Sequence, residues 1–537
     1  MDKKKIKLMF VLSVFCIICV VSEAEVREYK ESGAAENTGS TTVMASRQEQ
    51  QDNTVSTGIT ASGPAMASSE ENVENQGTAV PVHTKRPVQI VQAWRAAASE
   101  KVRVIITTNN FDSYYHNTVK LTCGNDFTVT CGDSTKTYKA GKKVSFNLSD
   151  KLVKKKKFVV ASTGDARIKL LSVKRQAINP LYRGTIEVKW TGRGFLITNE
   201  LPLEQYLYAV VPSEMSTGNR MEALKAQAVC ARSYTYNQIN AERYKEYNAD
   251  LDDSTACQVY NNIPEDERSR KAVDSTFEEV ITSKGKIIVA YYFSTSWGYT
   301  ADGQDVWNTP GEVSYLKSRP QLRNGKDSTG TDLSDENAFR QFINSGSKDA
   351  YESSDDWYRW NITFNADKLS ERIDSALYNC YLSDKSLVLS QNNNGKYEEK
   401  PLKSIGRIKK LRVEKREDSG LITELVIVGT NNVVKVCTQY NIRKVLAPVY
   451  EKIKRKSGES ISSYSMLPSA AFYIDDIKTK KGVSFKITGG GFGHGAGLSQ
   501  SGAAAMAQSG KEYVDILEHF FTGAKVKSVK KTESAAN

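Results

Sequence analysis

Cysteine, histidine and long apolar runs are all scarce in this 537-residue sequence, and each scarcity removes a class of chemistry. Outside the N-terminal segment the cysteines are Cys123, Cys131, Cys230, Cys257, Cys380 and Cys437. No C-x-x-C pair occurs among them, so zinc-ribbon and thioredoxin-like sites lack support. Six cysteines over so long a stretch do not make a disulfide scaffold; Cys123 and Cys131, which flank a strand-like stretch, are a candidate pair. Four histidines in the whole chain argue against a His-rich metal site. The longest apolar run, Leu8 to Val21, falls short of the roughly 20 residues of a membrane span. There is no Gly-Lys-Ser/Thr phosphate loop, and Ser499 lies in no G-x-S-x-G elbow, so a serine hydrolase is disfavoured.

What is present divides by segment. Residues 1–24 carry Lys3, Lys4, Lys5 and Lys7 before the apolar run, then Ser22-Glu23-Ala24. This is the pattern of a secretory signal peptide. A retained anchor using residues 6–21 is the alternative, and either reading puts the rest of the chain outside the cytoplasm. Residues 25–85 are rich in Ser, Thr, Gly, Glu and Gln without apolar periodicity, with nine acidic against four basic residues. Such a stretch cannot bury enough surface to offset its ordering entropy and reads as a disordered tether. The remainder is strongly basic, with clusters at 154–157, 452–456 and 525–531. A basic body attracts nucleic acid, anionic lipid or an acidic wall polymer; export argues against nucleic acid.

From 86 to 198 the chain reads as short strands, at 102–107, 119–122, 127–130, 158–161, 168–173 and 185–190, separated by Gly, Asn and Asp turns. At Leu201 the pattern changes. Pro202 suits a first helical turn, and Leu203, Tyr206, Leu207 and Val210 follow helical spacing. Pro212 is expected to end that helix, a loop over 213–219 follows, and a second, alanine-rich helix runs from about 221 to 239. Strands and helices then mix to residue 525 without regular alternation, which predicts an α+β fold. The expected organisation is a small antiparallel β part (86–198), an α+β part (199–525) and a basic tail (526–537).

Glu214 sits just past Pro212, expected on a loop held by two helices, where catalytic groups are often found. Lys225 and Arg232 are seven apart and share a helical face, with Glu222 beside Lys225. Taken by themselves, these residues favour the plainer reading, a solvated face with an exposed glutamate in a turn.

The motifs add to this. LPLEQYL (201–207), SEM (213–215) and ALKAQAVCARSY (223–234) are followed by DDSTACQVY (252–260) and YYFSTSWGYTADGQDVW (291–307), then YLKS. GGGFGHGAGLSQSGAAAMAQSGKEYVDILEHFFTG (489–523) comes last. In content and order these blocks resemble the stage II sporulation protein D (SpoIID/LytB) family, over about residues 86–525. The resemblance implies a peptidoglycan-binding groove and, in the sporulation members, lytic transglycosylase activity on glycan strands. The family also includes enhancers of a cell-wall amidase that do not cut glycan. Its essential acid corresponds to Glu214 and its basic residues to Lys225 and Arg232. Gln227, Tyr260, Ser294, Ser296, His494 and Gln500, within the matching blocks, are the further candidate substrate contacts.

Some family members hold zinc through a Cys six residues before the Cys of the CQVY block and a His just ahead of it. Here those places are Leu251 and Ala256, leaving only Cys257, so no metal and no cofactor is expected. The loop Gly489 to Gly495 loosely matches a dinucleotide fingerprint, but too little chain follows for such a domain. The resemblance suggests instead that its glycines bring backbone close to a sugar, with His494 either lining the groove or fixing the loop. Trp297, Tyr299 and Trp307 are either sugar platforms or core.

Overall fold

The computed structural model describes residues 100–529, apart from 110, 148, 150–156, 176, 263, 324–330, 347–348, 463 and 481. The leader and tether expected over 1–85 lie outside the described residues, as does most of the first basic cluster. Among the described residues no helix is long and apolar enough to cross a membrane. The fold is α+β, with mainly antiparallel sheets and helices that do not alternate regularly.

The first sheet is seven-stranded. Its strands are β1 (Lys101–Ile105), β2 (Phe127–Cys131), β3 (Ser134–Tyr138), β4 (Lys157–Ser162), β5 (Thr185–Trp190), β6 (Phe195–Pro202) and β7 (Leu251–Asp252), in the order β7-β1-β6-β5-β4-β2-β3. Only the β7–β1 pair is parallel. Val102 and Val104 of β1 are buried on either side of the half-buried Arg103, as in a strand with one packed face, while β5 buries Ile186, Glu187 and Val188 in succession. A second small sheet carries Thr118–Cys123 and Ile168–Leu170. Cys123 ends its strand with its thiol on the carbonyl of Ala166, and both it and Cys131 are free thiols. The candidate disulfide is therefore corrected.

β6 leads straight into helix α1 (Leu203–Glu214), with Pro202 at the N-cap rather than in the first turn. Leu203, Tyr206, Leu207 and Val210 are buried as the spacing predicts. Pro212 does not end the helix. Lacking an N–H, it forgoes one bond to the carbonyl four residues back. The turn is held by its neighbours: Ser213 donates its hydroxyl to the Ala209 carbonyl at 2.6 Å, and the Met215 N–H reaches Val211 at 2.9 Å. Glu214 is thus the last residue of a helix, not a loop residue. Helix α2 (Met221–Ala241) has every residue from Ala226 to Thr235 buried. A helix covered all round tolerates small side chains, which let its neighbours approach closely. The helices Glu267–Ser275 and Tyr513–Phe520 pack on it. The stretch expected to begin the tail includes a strand, Lys525–Ser528, paired with Glu279–Thr282.

A second hydrophobic core gathers residues between Trp297 and Ala496. It is built on a sheet whose centre is Trp360–Asn365 beside Gly482–Gly489, on a second sheet containing Ile408–Arg416 and Ile422–Gly429, and on the helix Ala366–Ser383. Next to it the chain forms a parallel two-strand ladder, β8 (Tyr292–Phe293) with β9 (Leu498–Ser499). Helix α3 (Gln500–Gln508) follows at once, Ser499 capping it through its hydroxyl.

Candidate active site

The end of α1, the start of α3 and the segment 351–355 line a cleft of about 410 Å³. Its wall carries Glu214, Glu352 and Asp355 but no Lys, Arg or His. Serines 216, 294, 354 and 501, with Asn219 and Gln508, give it the hydroxyl and amide groups that suit a hydroxyl-rich ligand.

Glu214 is half-buried and held from three sides. Its Oε1 accepts the Val259 N–H at 2.7 Å and the Tyr292 hydroxyl at 2.8 Å. The Gln500 amide donates to the Glu214 backbone carbonyl at 3.1 Å, to Gln227 Oε1 at 3.3 Å and to Glu214 Oε2 at 3.4 Å. Two hydrogens serve three acceptors there, so Oε2 is the least engaged oxygen. Burial raises the Glu214 pKa above the usual carboxylate range, outweighing the donors from Val259, Tyr292 and Gln500. The carboxyl therefore keeps its proton more readily than a solvated glutamate. Burial and the Glu214 charge also keep the Tyr292 phenol protonated, hence a donor.

Each contact depends on its own support. Val259 is held by a clamp running through the CQVY block. Asp253 accepts the Thr107 N–H at 3.0 Å and pairs with Arg175 at 2.6 Å. Gln258 donates to the Ala231 carbonyl of α2 at 3.1 Å, and Tyr260 to Asn199 at 2.8 Å. Tyr292 is fixed by His494, whose Nε2 donates to the Tyr292 carbonyl at 3.0 Å while Nδ1 accepts the Ala496 N–H at 3.2 Å. That pattern requires a neutral ring, and burial lowers the His494 pKa to about 4. Of its two sequence-level roles, fixing the loop is the one these bonds perform.

The other candidates are placed as follows. Gln227 is buried beside Gln500, and Ser294 lines the cleft. Ser296 is fully buried and accepts the Gly298 N–H, and Tyr260 lies in the core against Tyr206. Lys225 pairs with Glu222 at 2.8 Å and lies over the Tyr513 ring. Arg232 is 0% exposed, its guanidinium bidentate on Glu204 with both contacts at 2.7 Å. Neither Lys225 nor Arg232 lines the cleft.

The glycine loop also departs from expectation. A Cβ at Gly495 would stand 2.5 Å from the Trp297 ring and one at Gly493 would stand 2.6 Å from Phe293. The glycines bring backbone against buried aromatics, and Trp297 is core, its indole N–H on the Ser419 carbonyl at 2.8 Å. Tyr292, Glu352 and Asp355 were not singled out from the sequence. Tyr292 lies inside the motif block 291–307. Glu352 and Asp355 fall in a polar run, YESSDD, that carries no local signal for burial.

This geometry stands beside comparisons with known proteins. The family described as Stage II sporulation protein matches residues 191–283, and one described as a domain of unknown function matches residues 301–497, nearly the extent of the second core. An Amidase enhancer of Bacillus subtilis (strain 168) is 27% identical over 323 residues, 60% of this chain and 40% of that protein. An uncharacterized protein of Brachyspira hyodysenteriae is 29% identical over 334 residues, 62% of this chain and 68% of that protein. Stage II sporulation protein D of Bacillus amyloliquefaciens is 24% identical over 340 residues, 61% of this chain and 74% of that protein. The aligned part thus spans well under half of the first relative. Motif blocks, family match and relatives agree in their likeness to the stage II sporulation protein D family, whose model covers residues 191–283 of this chain.

Proposed function

We propose that this protein is an exported lytic transglycosylase that cuts peptidoglycan glycan strands with Glu214 as its only acid–base group. The observation that carries the reading is the asymmetry at Glu214: Oε1 is anchored by Val259 and Tyr292 while Oε2 is left weakly engaged in a carboxyl whose pKa burial raises. Such a group gives its proton to the glycosidic oxygen as the bond to the muramic C1 breaks. The resulting carboxylate takes the proton of the muramic C6 hydroxyl, whose oxygen closes on C1 as a 1,6-anhydro ring. One carboxyl suffices because the nucleophile is internal. An ordinary glycosidase presents two carboxyls to the sugar. Here Asp355 is committed to Thr295, Ser501 and the Trp357 N–H, and the Glu352 oxygens are buried, which supports the single-acid reading.

The relative named Amidase enhancer favours a second reading, in which the cleft binds wall polymer and stimulates a separate amidase. Mass spectrometry of purified glycan strands incubated with the protein separates the two. Anhydro-muramic ends, lost in Glu214→Gln by about 10²–10⁴-fold with melting unchanged, are expected. Intact strands, with muropeptide release only when an amidase is added, would establish the enhancer instead.

A further inference from the structure

The cleft holds a second unusual carboxyl. Glu352 is 1% exposed, and the Ser296 and Ser499 hydroxyls are the side-chain groups that face its carboxyl. It lies beneath the first turn of α3: a Cβ at Gly502 would stand 2.6 Å from Glu352 Oε1, so only glycine leaves the carboxyl its place. The helix start offers it no donor from its next amides, because the Ser501 N–H is on the Ser294 carbonyl and the Gly502 N–H on Ser499 Oγ. Ser296 and Ser499 are its polar neighbours; each hydroxyl oxygen accepts a backbone N–H, from Gly298 and Gly502, which leaves its own hydrogen to turn to Glu352.

That first turn carries one of the groups that hold Glu214. Gln500 bridges the Glu214 carbonyl and Gln227. Ser501 joins Asp355 at 2.7 Å and Thr295 at 2.9 Å. We propose that Glu352 is a positioning residue: wedged under the first turn of α3, it sets the seat of Gln500 and Ser501 and thereby the placement of Glu214 in the cleft. The inference rests on Glu214 being the working acid.

A buried carboxyl with only two serine hydroxyls beside it and no cation in contact favours its protonated form. Burial, with the Asp355 charge adding, pushes Glu352 up to about 7, against the two serines. The other titratable groups that feel its charge are Tyr351, Tyr358 and Arg359. Phe520, which also faces Gly502, is apolar. The seat of α3 therefore loosens as pH rises through neutrality and Glu352 ionises without a counter-charge in contact.

Two measurements on the full chain test this. The first is amide hydrogen exchange over residues 499–503, corrected for its intrinsic pH dependence. In the wild type, protection there should fall at least about tenfold from acidic to alkaline pH, and Glu352→Gln, which keeps the shape but cannot ionise, should abolish that fall. The second is the pH profile of glycan cleavage. Glu352→Gln should carry cleavage to higher pH, and Glu352→Ala, which removes the wedge, should cut it by up to about a hundredfold, as small misplacements do. Equal exchange and equal pH profiles in wild type and Glu352→Gln would overturn the assignment, and Glu352→Gln decides it if the alanine variant fails to fold. Absence of any cleavage in the wild type defeats the proposed function alone, because the exchange measurement still decides the role of Glu352.

Discussion

Replacing Arg232 with alanine should harm the fold before it harms anything in the cleft. The guanidinium is fully buried and makes two 2.7 Å bonds to Glu204, with further contacts to the Glu279 carbonyl at 3.1 Å and the Val273 carbonyl at 3.3 Å. Glu204 is itself 4% exposed, in the first turn of α1. The pair therefore ties the beginning of the helix that ends in Glu214 to the middle of α2. Alanine removes the cation and leaves the Glu204 carboxylate in a low-dielectric site without it. Breaking a buried pair in this way costs about 3–5 kcal/mol, against at most about 0.5 kcal/mol for a solvated surface residue. Urea unfolding followed by circular dichroism reads the difference directly. Removing both partners, as Arg232→Met with Glu204→Leu, should recover much of the loss, because an apolar pair of similar volume carries no desolvation penalty. The opposite pattern would refute this: unchanged unfolding in Arg232→Ala together with lost turnover means that the guanidinium serves substrate.

Tyr292→Phe removes a donor that stabilises the Glu214 carboxylate, so the Glu214 pKa should rise further and the alkaline limb of the pH–rate profile should move up; a limb that stays in place counts against the hydrogen bond. Acidification tests the buried histidines. His494 and His519 are both lowered to about 4 by burial, so from about pH 6.5 down to about 4 the unfolded chain takes up protons that the folded one does not, and stability should fall across that window. His494→Gln should flatten part of that slope in pH-dependent melting, and an unchanged slope would show that the ring is not held neutral.

How much of this was legible in the sequence depended on whether local pattern or distant contact decided the outcome. β1 buries Val102 and Val104 on either side of Arg103 as its pattern suggests, β5 buries its β-branched Ile186 and Val188 with Glu187 between them, and α1 buries the residues its spacing selects. β6 was missed because Asn199, Glu200 and Pro202 interrupt its apolar run and the helical signal begins two residues later, yet it sits inside the sheet between β1 and β5. The helix Glu267–Ser275 was missed because it is mostly polar; its signal was Asp266, which caps it by accepting the Arg268 and Ser269 N–H groups. Glu214 stood out only through its motif, since nothing local distinguishes it from an ordinary helix-end glutamate. Glu352 could not be found at all: its burial is supplied by Ser296, Ser499 and Gly502, remote in sequence, and the polar run around it says the reverse.

The spacing of the motif blocks has a physical reading once the contacts are known. Each block supplies one part of a single support for Glu214. LPLEQYL gives Glu204, which anchors α1 to Arg232 of the alanine-rich helix. The same helix gives Gln227, the CQVY block gives the Val259 N–H, and the YYF block gives the Tyr292 hydroxyl. The glycine block gives both His494, which pins the Tyr292 carbonyl, and Gln500. The chain between the last two blocks folds largely around its own core and returns one segment, 351–355, to the cleft wall. The elements that hold the acid are thus separate from the segment facing it across the cleft. Substitutions in the blocks should therefore move the pKa and placement of Glu214, while those at 351–355 act on it only through the seat of α3.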